Sequence, residues 1–383
     1  MVRLGDYIEQ IRGVSYKPED LHSDLNENSI ALLRANNIKD GTLNFDDVVF
    51  VDKKRVSKVQ YLKKGDILVC ASSGSKDLVG KAAYVSSDLP ITFGAFCKVI
   101  RPKNEYPEYI GLYFQSPIYR KKISELSAGA NINNIRNEHI DELQISLPNK
   151  EKQKEAVSRL NAVFEVVSQR KQQLEKLDEL IKSRFVELFG GYERTVTIAR
   201  YIAELRGGKS LAGTEPCKNK VLKTGAATFG WFDPEQYKYL PTDYKPLSEH
   251  KVETGDVIIS RMNTPELVGA CSYVFNAPDN MYYPDRLWKA VLKENTNPIF
   301  LWQLLWDRDV RKAIKEKSGG TSGTMHNISK PNLLAIKCMD APIELQNEYA
   351  NFVKQVDKSK FEVQQSLEKL ETLKKSLMQK YFG

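Results

Sequence analysis

The chain of 383 residues has no apolar run long enough to cross a bilayer, and its opening stretch, MVRLGDYIEQ, has no signal-peptide core. A cytoplasmic protein with no membrane partner is therefore expected. Cysteine is scarce: the five residues Cys70, Cys97, Cys217, Cys271 and Cys338 are scattered and never form a C-x-x-C. That pattern predicts core thiols in a reducing compartment and argues against a disulfide framework or a zinc site. The four histidines, His22, His139, His250 and His326, lack metal-ligand spacing and a nearby serine or cysteine nucleophile pattern. LRGGKS at 205–210 stops short of a phosphate-binding loop, because the glycine it needs is Ala203. NPIF at 297–300 falls short of the N-P-P-Y/F stretch of amino-methyltransferases at Ile299 and reads instead as a helix start. A glycine-rich strand–turn–helix for a methyl donor is missing. PDRLWK at 284–289 lacks the second acidic position of a nuclease. Catalysis, a bound cofactor and a bound metal are not expected of this chain.

What the chain does have is a repeat. Leu174, Lys176 and Leu177 recur as Leu367, Lys369 and Leu370, and Phe189-Gly190 recurs as Phe382-Gly383. The same offset of 193 residues carries Gln153 onto Gln346 and Glu155 onto Glu348. Upstream, KGDIL at 64–68 echoes TGDVI at 254–258, and Leu78-Val79-Gly80 echoes Leu267-Val268-Gly269. Asn134-Ile135 echoes Asn327-Ile328, and Tyr7-Ile8 echoes Tyr201-Ile202. The unit is too long for a solenoid repeat. It is a duplicated globular domain with a helix attached. Between the landmarks the copies diverge: ASSGSKD faces SRMNTPE, and SAGANINNIRNEH faces SGGTSGTMHNISK. A repeated frame with unlike loops implies one job done on two different targets. The net charge of +8 leans towards nucleic acid.

From Pro148 the sequence turns helical. Leu160, Val163, Val167, Arg170, Leu174, Leu177, Ile181, Arg184 and Leu188 step by threes and fours, a heptad seam. The second copy gives Val353, Val356, Lys360, Val363, Leu367, Leu370, Lys374, Leu377 and Tyr381. Each seam carries charged interruptions at different heptad places, so the two are expected to bury each other. The first helix stops at Gly190-Gly191 and the second globular unit follows at once, so the pair is predicted to be antiparallel. About forty residues at 1.5 Å each give a rod of roughly 60 Å, on the order of one and a half turns of B-DNA.

Each globular unit reads as mixed α/β. A Gly-Asp turn feeds an apolar strand, Gly80–Val85 and Gly269–Phe275 form a returning strand, and an aromatic-rich helix follows. The loops carry the candidate chemistry. Asn131, Asn133, Asn134 and Arg136 offer the side chains that pair with adenine and guanine in the major groove. Thr321, Thr324 and His326 stand in the matching loop, and Lys76 faces Arg261 and Asn263 in a second matched pair. Arg120, Lys121 and Lys122, and then Arg311, Lys312 and Lys315, close the preceding helices with charge suited to phosphates.

The order of these motifs, repeated twice and each time ending in a heptad helix, resembles the specificity subunit of type I restriction–modification systems across essentially the whole chain. The resemblance implies two tandem target-recognition domains, 1–149 and 192–342. Two spacer helices, 150–191 and 343–383, form an antiparallel coiled coil with a pseudo-twofold internal repeat. It implies that each domain reads one half of a bipartite site on double-stranded DNA. The helices would fix the gap and dock two modification (methyltransferase) subunits, with restriction (translocase-nuclease) subunits completing the complex. S-adenosylmethionine, ATP and magnesium would serve those partners. The family's recognition loops vary, so no DNA contact transfers residue by residue. Three other readings stay open: a stand-alone methyltransferase or nuclease with degenerate motifs, a coiled-coil interaction scaffold, and a silent or phase-variable copy of the same family.

Overall fold

The computed structural model describes residues 1–103, 106–126, 133–322 and 325–383, with Asn133, Thr321 and Ser322 described by backbone alone. The chain divides into two compact units: Met1–Lys171 with Gln364–Gly383, and Gln172–Val363.

Unit 1 is built on a four-stranded antiparallel sheet, in spatial order Ala82–Tyr84, Ile67–Cys70, Cys97–Pro102 and Ile8–Arg12. Every side chain of Ile67–Cys70 is buried, on alternating sides. Ile67 and Val69 pack with α1 (Pro107–Phe114) and α2 (Pro117–Leu126), while Leu68 and Cys70 pack with Leu33, Phe93 and Val99. Burial on both faces is why this stretch reads as a continuous apolar run. The second face is covered by a smaller sheet of Thr92–Phe93, Ser29–Leu33, Val49–Asp52 and Leu21–His22. After α3 (Asn137–Asp141) the chain enters α4 (Lys150–Phe189).

Unit 2 repeats the plan. Its main sheet runs Cys271–Tyr273, Val257–Ser260, Leu287–Leu292, Ile202–Gly207, the same succession as in unit 1. Val257 and Ile259 again face the helices, and Ile258 the opposite cluster with Leu222 and Met281. Both Gly-Asp turns place glycine at positive φ, 91° at Gly65 and 98° at Gly255. The aspartate that follows ties the turn: Asp66 Oδ2 accepts from the Lys63 N–H and Asp256 Oδ2 from the Glu253 N–H, each at 2.8 Å.

The aromatic-rich segment differs from the expected single helix. In unit 1 it breaks before Pro117, whose missing N–H and ring suit only a helix's first turn, giving α1 and α2. In unit 2 it forms α5 (Pro298–Leu304) and α6 (Arg308–Lys317), restarted by Asp307, whose Oδ1 accepts from the N–H of Asp309 at 3.1 Å and Val310 at 3.2 Å. Asn297 caps α5, accepting from the Ile299 N–H at 3.0 Å, so NPIF is a helix start. The short α7 (Lys330–Leu334) precedes α8 (Ile343–Phe382).

Helices α4 and α8 are 40 residues each, and α4 ends one residue before Gly190. All apolar seam residues, Leu160, Val163, Val167, Leu174, Leu177, Ile181, Leu188, Val353, Val356, Val363, Leu367, Leu370 and Leu377, are buried or half-buried. Within unit 1, Lys171 pairs with Glu371 at 3.6 Å and the Lys374 ammonium lies 4.8 Å from the Phe164 ring centre. Within unit 2, Arg184 pairs with Glu348 at 2.8 Å, Tyr349 OH donates to the Ile181 carbonyl at 3.3 Å, and Lys360 bonds Asp178. In both units contacts climb one helix as they descend the other, so the pairing is antiparallel. Arg184, Lys360 and Lys374 thus have partners across the seam: Arg184 and Lys360 pair with acidic residues, and Lys374 covers a ring.

A second apolar face, off the seam, anchors the helix ends in the globular cores. Ala156, Val157, Met378 and Phe382 join the unit 1 core, and Phe185, Phe189 and Tyr349 that of unit 2. Gln153 and Gln346 are each 1% exposed, and both Nε2 groups donate to a carbonyl before the helix, of Pro148 and Ala341, at 2.8 Å. All five cysteines are free, four of them buried and Cys217 half-buried.

Candidate DNA interface

The two matched loop pairs of the sequence meet in space. In unit 1 Ser72–Ser73 pairs antiparallel with Asn133–Asn134, and the Ile135 N–H donates to the Ala71 carbonyl at 2.8 Å. In unit 2 Met262–Asn263 pairs with His326–Asn327, which also pairs with Gly319–Ser322, and the Ile328 N–H donates to the Arg261 carbonyl at 3.1 Å. Ile135 and Ile328 are buried, pinning the base of each ribbon.

Lys76, Lys121, Asn134 and Arg136 are exposed on unit 1, and Lys122 is half-buried. Arg136 pairs loosely with Glu138 at 3.3 Å. On unit 2 Arg261 Nε donates to Asn327 Oδ1 at 3.2 Å, Asn263 Nδ2 to Thr228 Oγ1 at 3.3 Å, and His326 Nδ1 lies 3.1 Å from Ser318 Oγ. Lys312 and Lys315 are exposed, and Lys315 pairs with Glu266 at 2.9 Å. Asn131 and Thr324 lie outside the described residues, and for Asn133 and Thr321 only the strand backbone is described.

Arg120 and Arg311 each make contacts to loop carbonyls within their own unit. Arg120 donates to the carbonyls of Val79 and Asp77, the latter at 3.0 Å, and Arg311 to that of Glu266 at 2.8 Å. Each clamps the loop ahead of a glycine at positive φ, 79° at Gly80 and 70° at Gly269. These two guanidinium groups hold the ribbon's neighbouring loop in place.

Sequence reasoning missed Lys98. It is 7% exposed, and its ammonium donates to Gln10 Oε1 at 3.0 Å and Asn137 Oδ1 at 2.8 Å. Gln10 Nε2 in turn donates to Asp141 Oδ1 at 2.8 Å and to the Asn137 carbonyl at 2.9 Å. The knot fixes the start of α3, directly after the ribbon. Its partners are far away in sequence, so no local pattern shows it. Burial pushes the ammonium down from 10.5 to about 8, with Asp141 and Glu138 opposing. The unfolded chain then binds more protons between about pH 8 and 10.5, so unit 1 gains stability as pH rises through that window. Wild type is expected to gain melting temperature over Lys98→Met between about pH 7.5 and 9.5. Parallel pH profiles for the two proteins would contradict this.

Among the described residues no helix is long and apolar enough to cross a membrane, and no cluster of His, Cys, Asp and Glu is set to hold a metal.

Paired mixed α/β units with matching ribbons, and long antiparallel helices shared between them, define a specificity subunit, and the chain belongs to the type I restriction–modification specificity family. A family model described as "Type I restriction modification DNA specificity domain" matches residues 2–178. The chain is 30% identical to the type I restriction enzyme EcoKI specificity subunit of Escherichia coli (strain K12) over 398 residues, 97% of this chain and 86% of the relative. It is 28% identical to the StySPI specificity subunit of Salmonella potsdam over 401 residues, with the same two shares, 97% and 86%. The fold is shared with the crystal structure of the type I system S subunit from M. genitalium, at a TM-score of 0.57 and 15% identity, covering 100% of this chain and 95% of that one. As a specificity subunit it is a non-catalytic component that confers DNA sequence specificity on a restriction–modification complex.

Proposed function

We propose that each unit reads one half of a bipartite duplex DNA site through its ribbon, with recognition domains spanning 1–149 and 192–342. In this reading α4 and α8, within 150–191 and 343–383, set the gap and dock two modification (methyltransferase) subunits, and restriction (translocase-nuclease) subunits complete the cytoplasmic complex. S-adenosylmethionine, ATP and magnesium act on those partners. The observation that carries the reading is the ribbon itself. It recurs at the same place in both units, yet presents Ser72, Ser73 and Asn134 in one and Met262, Asn263 and His326 in the other. A shared backbone frame with unlike side chains suits two unlike half-sites, because base identity is read by side chains at groove edges.

The test is a single-molecule methylome of cells carrying this gene and the neighbouring methyltransferase gene, with and without this chain. Loss of one gapped, two-part methylated motif on deletion is expected. Exchanging residues 1–149 for those of a relative is expected to change one half of the motif only. Duplex binding should weaken with salt at a slope of roughly −0.9 in log K per phosphate neutralised. A slope near zero, with an unchanged methylome, would favour an interaction scaffold instead.

A further inference from the structure

In each unit the strand that leads into the ribbon leaves the main sheet beside a turn. Ile67–Cys70 pairs antiparallel with Cys97–Pro102, and Val257–Ser260 with Leu287–Leu292. The end of the first strand therefore lies next to the start of the second. The residue before that start is Phe96 in unit 1 and Arg286 in unit 2, each in a turn. Both carbonyls are tied to the root of the ribbon. That of Phe96 accepts from the N–H groups of Ala71 at 2.8 Å and Ser72 at 3.0 Å, and that of Arg286 from the Arg261 N–H at 3.0 Å. The two positions are equivalent in the duplication.

The backbones agree here and the side chains do not, as on the ribbon itself. Phe96 is 72% exposed, and its ring has no aromatic or cationic neighbour among the described residues. Arg286 is exposed too, and its guanidinium has no hydrogen bond or ion pair among the described residues. Arg120 and Arg311, by contrast, spend theirs on loop carbonyls.

The surroundings of Arg286 suit a polyanion. The cleft of about 290 Å³ beside it is also walled by Lys223 and Lys238, neither of which has an ion pair among the described residues. Asp285, the acid in that wall, accepts from the Ser210 hydroxyl. Unpaired cations beside a reading element are the usual means of holding it in register on phosphates. An unoccupied guanidinium fork fits O6 and N7 of guanine, whereas a phenyl ring offers apolar contact to the methyl group of thymine.

We propose that this turn is a third reading element beside the ribbon, in which Arg286 forks onto a guanine of one half-site and Phe96 packs on a thymine methyl of the other. The inference rests on the reading above, in which each unit addresses one half-site. PDRLWK, too poor in acids for a nuclease, then serves to display its arginine at the ribbon's root.

The test is the methylome of cells carrying this gene, intact or altered, with the neighbouring methyltransferase gene. Arg286→Ala is expected to relax one guanine in one half of the motif and to leave the gap and the other half unchanged. Phe96→Ala should relax one thymine in the opposite half. In duplex competition with the complex purified from these cells, the preference for that guanine should fall about 10- to 100-fold in Arg286→Ala. Arg286→Gln should move the preference towards adenine, a change that misfolding cannot imitate. Melting temperatures should stay within about 2 °C of wild type, since both side chains are exposed. If Arg286→Ala weakens binding to all duplexes alike and lowers the salt slope by about one, Arg286 is a phosphate contact and the proposal is overturned. An unaltered motif in both alanine variants also overturns it, while the half-site reading stands. If wild type itself yields no gapped motif, the half-site reading falls and takes this inference with it.

Discussion

Phe189→Ala is expected to lower the unfolding temperature of unit 2 by roughly 10 °C, from a loss of about 3–5 kcal/mol. Phe189 is fully buried at the end of α4, with ring centres of Phe185 and Phe300 at 4.9 Å, Tyr349 at 5.8 Å and Tyr192 at 6.3 Å. Removing it opens a void that rigid neighbouring rings cannot close, and it forfeits several edge-to-face contacts. The measurement is unusually clean. All four tryptophans, Trp231, Trp288, Trp302 and Trp306, lie in unit 2, so indole emission follows that unit alone. Phe382→Ala is the counterpart in unit 1, where Phe382 sits 5.0 Å from Tyr109 and 5.8 Å from Tyr113. An indole transition that moves by less than 2 °C in Phe189→Ala would mean the helix end is not part of the core.

Arg101→Met should be similarly costly for unit 1, about 3–5 kcal/mol, because it strands a buried carboxylate. Asp66 is 1% exposed, and Arg101 forks onto it with Nε at 2.7 Å and Nη2 at 2.8 Å. Unit 2 solves the same problem differently. Asp256 is held by Lys289 at 2.8 Å and by the hydroxyl of Tyr283 at 3.0 Å. Burial and the adjacent carboxylate push the Tyr283 phenol well above its usual range, so it remains a donor. Lys289→Met therefore leaves a partner behind and should cost only about 1–2 kcal/mol. Urea unfolding followed by far-UV circular dichroism for the first variant and indole emission for the second compares the two. Equal losses would show that the tyrosine does not compensate. Adding Asp66→Asn to Arg101→Met should recover part of the loss, since the stranded charge is gone.

Much of this architecture is legible in the residues. The offset that maps Leu174 onto Leu367 reports a real duplication, and the stop at Gly190 marks the end of α4 to within a residue. Such signals are local, set by period and by backbone chemistry. The heptad count finds the face each long helix turns to its partner. It passes over Phe185 and Phe189, because a second face one step off the seam is dictated by a globular core distant in sequence. The candidate loops stand in the sequence as two separate pairs, and their union into ribbons depends on strand pairing across about sixty residues, which no local pattern encodes. A basic run does not show which side chain folds back: Arg120 and Lys121 are neighbours in sequence, yet one grips carbonyls and the other faces water.

The division of the chain bears on the order in which its parts can be finished during synthesis. Unit 2 is one uninterrupted stretch, Gln172–Val363. Unit 1, although it begins first, needs Met378 and Phe382 to fill its core. Its socket around Tyr109 and Tyr113 stays open while the whole of unit 2 is made. The residues of the later unit are thus all joined before those of the earlier one are. A chain ending at Val363 would carry every residue of the second unit but lack those that fill the core of the first, leaving buried-type aromatic surface facing water.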